Sequence, residues 1–172
     1  MKEFEFTCSS CGETHRGIPT FGWDYPIQVL DIPQEERGSR VDLGSDDCVI
    51  DNKWFYIRGC LEIPVHGYDD PFVWGAWVSL SENNFLEWVK LFGQETRSSF
   101  GPYFGWLAGD FRPYEQTCVN LKTRVHLRDH GIRPLLELEP TGHPLALEQR
   151  NGISPDRLKR IYEIMMHGAE AA

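Results

Sequence analysis

The segment from Thr117 to Arg128 alternates along its length, and that pattern limits what the chain can become. Val119, Leu121, Thr123, Val125 and Leu127 fall on one side of an extended strand, and Asn120, Lys122, Arg124, His126 and Arg128 on the other. A strand written this way belongs to a sheet with one face packed and the other solvated. Arg133–Glu139 alternates too, with Pro134, Leu136 and Leu138 opposed to Arg133, Leu135, Glu137 and Glu139. Joined as a hairpin, the two strands place apolar beside apolar in only one parity of register, and a loop at Asp129–Ile132 satisfies it. That register sets Lys122 opposite Glu139 and Arg124 opposite Glu137, two cross-strand pairs of opposite charge.

Other segments extend the sheet. Trp54–Pro64 and Phe72–Leu80 are rich in aromatic and β-branched residues and read as its central strands. Trp54-Phe55-Tyr56-Ile57 and Ala76-Trp77-Val78 are apolar at consecutive positions, so this part of the sheet should be covered on both faces. Cys48-Val49-Ile50 reads as a strand running into the turn residues Asp51-Asn52-Lys53. Phe4–Thr7 and Gly101–Leu107 read as further short strands, the latter at an edge. Residues 16–46 are irregular and punctuated by Pro19, Pro26 and Pro33, with one helical turn expected at Gln34–Arg40.

Two helices stand out. Ser81, or Ser79 with Glu82, caps the first, which carries Phe85, Trp88, Val89 and Phe92 at helical spacing and stops at Gly93. Ser154 caps the second, with Pro155 and Asp156 in its first turn and a stripe of Leu158, Ile161, Tyr162 and Met165 before Gly168. The expected fold is α+β, an antiparallel sheet packed by the Ser81–Phe92 and Ser154–His167 helices. With no linker or repeat, residues 1–172 read as one domain, with an N-terminal segment at 1–25 and a sheet-and-helix core at 47–167.

Cys8-Ser9-Ser10-Cys11-Gly12 is the chemically sharpest motif. Two thiolates separated by two residues on a tight turn converge on one point, and Gly12 supplies the positive φ such a turn often needs. This is half of a zinc site of the knuckle type. His15 follows at a spacing that permits a third ligand, and Cys48, at the start of a strand beside irregular chain, is the expected fourth. Cys60 is set aside because it lies several rungs from Cys48, at about 3.3 Å per residue. A redox dithiol would need the first cysteine at a helix N-terminus in a βαβ setting, which the Pro- and Gly-rich sequence after it does not offer. No His-Glu-x-x-His pattern accompanies the turn, so a structural zinc is expected rather than a catalytic one.

Two other constellations are weighed against plain structural roles. Arg58, Lys122, Arg124, His126, Glu137 and Glu139 share a polar sheet face that could bind a polar ligand, although alternating charge is what a one-sided sheet needs in any case. Glu137, Glu139 and His143 could support acid–base chemistry, but Pro140 and Pro144 mark a turn and no nucleophile accompanies them. Phosphate-cradling glycine loops, dinucleotide fingerprints and nucleophile elbows are lacking.

The formal charge of −9 disfavours nucleic acid and anionic membranes as partners, and suits a small molecule or a basic protein. No apolar run approaches the about 18 residues of a membrane span. Five cysteines, an odd number, argue against a disulfide framework, and the chain start lacks a signal-peptide pattern, so a cytoplasmic location is expected.

Phe6-Thr7-Cys8, Cys11-Gly12 and His15 belong to a longer pattern. With Asp47–Asp51, Phe55–Val65, Trp74–Ser81, Gly101–Leu107, Leu121–Leu127 and His143–Ala146, this pattern resembles the domain-of-unknown-function 2199 family of bacterial proteins. The resemblance covers nearly the whole chain. It implies a bacterial, cytoplasmic, single-domain protein and brings no catalytic residues with it. The leading expectation is a noncatalytic binding or interaction protein with a structural zinc and a protein partner. The alternatives are an acidic, immunity-type inhibitor of a basic toxin and a small zinc enzyme using an open metal position with His126 or His143.

Overall fold

The structure is a computed structural model, and it describes residues 3–168. Its centre is β6 (Trp54–Ile63) antiparallel to β7 (Phe72–Leu80), paired from Phe55 with Leu80 to Ile63 with Phe72. Phe72, Trp74, Ile57, Leu61 and Ile63 on these strands are fully buried, the outcome their composition predicts. The strand order is β3 (Thr20–Gly22), β7, β6, β10 (Leu135–Leu138), β9 (Lys122–His126), β8 (Tyr103–Trp106). The expected β9–β10 register holds: Glu137 lies opposite Arg124, and the Glu139 N–H donates to the Lys122 carbonyl at 2.9 Å. The sheet is mostly antiparallel, with two parallel contacts, β3 with β7 and β10 with β6.

The sheet curls. A bridge between Val78 and Leu107 and an Ala108 N–H donated to the Trp77 carbonyl return the chain after β8 to β7. Gly105 permits this approach, because a Cβ there would collide with the Ser79 carbonyl oxygen. The main core fills the inner face, where Ile57, Leu61, Val78, Val125 and Leu136 meet Phe85 and Trp88 of α2 (Glu82–Leu91), Leu145 of α3 (Pro144–Asn151) and Leu158 and Ile161 of α4 (Pro155–His167). Ser81 and Ser154 cap α2 and α4 by accepting from the Asn84 and Arg157 N–H groups, and Gly168 closes α4 in the left-handed conformation.

On the outer face, Tyr56 and Trp77 are covered by Val29 of a 3-10 turn at Ile27–Asp31 and by Ile32 just after it, forming a second small core. This is the two-sided cover predicted from consecutive apolar residues. The helical turn expected at Gln34–Arg40 is α1, followed by β4 (Val41–Leu43), which pairs with β5 (Asp47–Ile50). A separate two-stranded ribbon, β1 (Glu5–Thr7) with β2 (Thr14–Arg16), carries the cysteine turn. No helix among the described residues is long and apolar enough to cross a membrane.

Candidate metal centre

The cysteine turn is built by its own backbone. The Cys8 N–H donates to the Glu13 carbonyl and the Gly12 N–H to the Cys8 carbonyl, both at 2.9 Å, and Gly12 has φ 77°. A side chain at that φ would be strained, which is why glycine follows the second cysteine. Beneath the turn, Phe6 and His15 face each other across the ribbon and pack on Tyr162 of α4, with ring centroids 5.2 and 4.5 Å from it. Ser9 donates both its N–H and its hydroxyl to the Glu163 carboxylate, the N–H at 3.0 Å. Glu163 is buried on α4, and these contacts hold the turn against the end of that helix.

The consequence is a convergence no local pattern announces. One ligand atom from each of Cys8, Cys11, His15 and His167 lies within 4.8 Å of the other three. Ligands around a tetrahedral zinc, at about 2.0–2.3 Å from the ion, are about 3.3–3.8 Å apart, so a modest contraction would close the shell. His15 Nε2 is already 3.4 Å from Cys11 Sγ, and its Nδ1 is 3.1 Å from the Tyr162 hydroxyl. A proton on Nδ1 donated to that hydroxyl leaves Nε2 with a free lone pair facing Cys11, the orientation a metal ligand requires. Two sulfurs and two imidazoles suit a borderline-soft cation, and this group is able to hold a metal ion.

The thiols are electrostatically unequal. Burial pushes the Cys8 pKa up, but the Cys11 and Ser10 backbone N–H groups more than offset this, and the net shift is downward. At Cys11 the Glu13 backbone N–H pulls the pKa down, while burial and the neighbouring Cys8 raise it above the ordinary thiol value. The thiolate form is thus favoured at Cys8 over Cys11, and a bound cation would stabilise it at both.

The structure brings together three of the four expected ligands and puts His167 where Cys48 was expected. Cys48 is wholly buried in the outer core opposite Tyr56, and burial pushes its thiol up to about 12. Its strand is held by β4 and β6, and Cys48 does not join the Cys8, Cys11, His15 and His167 group. Cys60 lies four residues further along β6, opposite Gly75, in keeping with the rung argument. His167 was missed because helix periodicity registers apolar stripes. The signal open to sequence was the polar pair Glu163 and His167, one turn apart beside the Tyr162–Met165 stripe.

Arg58, Lys122, Arg124, His126 and Glu137 do share the outer sheet face, with Glu139 just beyond β10. They are spread across three strands. The hydrogen bond Glu137 makes is with its diagonal neighbour His126, at 2.7 Å, rather than with Arg124 directly opposite. His143 is the N-cap of α3: Nδ1 accepts from the Leu145 N–H at 3.1 Å, and Nε2 is 3.3 Å from the Gln116 carbonyl. Cys118, 4.0 Å from the same imidazole, has its thiol pushed up to about 12 by burial, which disfavours the thiolate.

Residues 7–153 match the family described as an uncharacterized protein conserved in bacteria (DUF2199), and the chain belongs to it. Neither the curated proteins nor the solved structures contain a match.

Proposed function

We propose that this member of the family is a noncatalytic binding or interaction domain whose N-terminal ribbon is fastened to α4 by a structural zinc ion. The observation that supports this reading is the meeting of Cys8, Cys11 and His15 with His167 at the far end of the chain. Four protein ligands fill a tetrahedral shell, and the Tyr162 and Glu163 contacts around them resemble the outer hydrogen bonds that orient metal ligands. His126 and His143, the histidines expected beside an open metal position in a zinc enzyme, are engaged with Glu137 and with the α3 N-terminus. Free thiols at Cys8 and Cys11 fit a reducing compartment, the cytoplasm in a bacterium.

Metal analysis of protein purified without added zinc tests the reading. Stoichiometric zinc is expected, lost in Cys8→Ser and weakened in His167→Ala, but retained in Cys48→Ser. X-ray absorption should show two sulfur and two nitrogen neighbours. Protein free of metal would sink the proposal, and a water in the fourth position would turn it toward the enzyme reading.

A further inference from the structure

The sheet forks along one edge of β6. β7 occupies the other edge, and on this one β5 pairs with Trp54–Ile57 while β10 pairs at Cys60. At the fork, the Arg58 N–H donates to the Asp46 carbonyl at 2.9 Å and the Cys60 N–H to the Pro134 carbonyl at 2.8 Å. Arg133 Nε donates to Asp46 Oδ1 at 2.6 Å, joining the two prongs. A cavity of about 340 Å³ opens here, lined by Arg58, Arg97 and Arg133, by Asp46, and by Trp88 and Phe92 of the α2 end.

Its polar lining is one-sided. Among the described residues, five buried side-chain nitrogens or oxygens lack a hydrogen-bond partner in the protein. Three of them, Arg58 Nε, Trp88 Nε1 and Arg97 Nη1, are N–H donors on residues lining this cavity. Arg97 is only 2% exposed, and its guanidinium bonds carbonyls alone, Arg128 at 2.8 Å and Ile132 at 3.0 Å. Asp129 accepts from the Arg97 backbone N–H, not from the guanidinium. A buried cation without a carboxylate partner is costly, and an unsatisfied buried donor adds to that cost. The Arg97 guanidinium, which meets no carboxylate, and the Arg133–Asp46 pair leave this cavity positive on a chain of net charge −9, while the Arg58 guanidinium lies over Trp77 and toward Gly22.

We propose that the fork is a binding site for a small oxyanion ligand, a phosphomonoester or a carboxylate, whose charged group meets Arg97 and Arg133 and whose apolar part lies on Trp88 and Phe92. The size suits a small metabolite, and the combination of convergent donors with an aromatic wall is the usual make-up of such sites. The fork and the metal ribbon share no residues, so this proposal stands or falls apart from the zinc reading.

The test is a titration of the full chain at constant ionic strength with inorganic phosphate, phenyl phosphate, benzoate and sodium chloride. It is read by the indole N–H resonance of Trp88, assigned with Trp88→Phe. Saturable shifts with phenyl phosphate stronger than inorganic phosphate are expected, and a stronger response to benzoate would assign the ligand to carboxylates. Arg133→Gln should weaken binding about tenfold or more, the loss expected for a charge-assisted hydrogen bond. Arg97→Lys should weaken it too while keeping a buried cation, with folding of both variants checked by their amide spectra. No saturable response to any oxyanion, a response equal to that of chloride, or binding unchanged in a folded Arg133→Gln would overturn the proposal.

Discussion

The β1–β2 ribbon and the β6–β7 pair are both antiparallel, yet they are stabilised in opposite ways. β6 and β7 run for ten and nine residues, and their inner side chains are sealed in the main core. β1 and β2 run for three residues each, with exposed residues on either side of one half-buried position. A two-stranded ribbon of that size does not stand alone in water. It is held by what it reaches on α4, namely Tyr162 and Glu163, beside His167. Strand length sets stability in one region, and side-chain chemistry sets it in the other.

That contrast is breakable. Trp74→Ala should have the largest effect: Trp74 is fully buried and stacked on Phe111 at 5.1 Å, and its loss should cost about 3–5 kcal/mol in urea denaturation. Chelation, or Cys8→Ser, should come next but act locally. Amide exchange should speed up in β1, β2 and the last turn of α4, while β6 and β7 stay protected. Global unfolding on chelation would show that the ribbon supports the sheet and would break the comparison. Ser154→Ala should cost about 1 kcal/mol through loss of the α4 cap, and should also loosen the ribbon because α4 carries His167. Glu137→Gln, on the exposed outer face, should change stability by only about 0–1 kcal/mol.

Acid sharpens the picture at a third place. The Arg97 backbone N–H first, then those of the Ser98 backbone and hydroxyl, hold the Asp129 carboxyl below its ordinary value. A depressed folded-state pKa means its stabilisation is present above the unfolded value near 3.9 and is lost as pH falls through the folded value. Asp129→Asn should therefore flatten the acid limb of the stability profile. An unchanged limb would show that the carboxylate contributes nothing to holding the β9–β10 loop.

Much of the sheet was legible because its residues answer to local rules. The β9–β10 register followed from parity, and the caps at Ser81 and Ser154 from residue type and spacing. His143 read as a loop residue beside a turn, and the structure makes that residue the cap of α3, a role its Pro144 neighbour foreshadows. The polar outer face was also legible, but which charges pair was not. His126 rather than Arg124 meets Glu137, because side-chain reach and direction decide between neighbours that register alone leaves equal.

The cysteine turn shows the division most clearly. By itself the sequence determined that Cys8 and Cys11 face one point on a glycine-closed turn, because that geometry is local to five residues. It also pointed to His15, four residues beyond Cys11. The fourth member was decided by the tertiary structure alone. Cys48 is sequestered by strand pairing with β4 and β6, and docking of Phe6 and His15 on Tyr162 carries the turn to His167. A candidate ligand more than 150 residues away is chosen by which surfaces pack together, and packing depends on every segment in between.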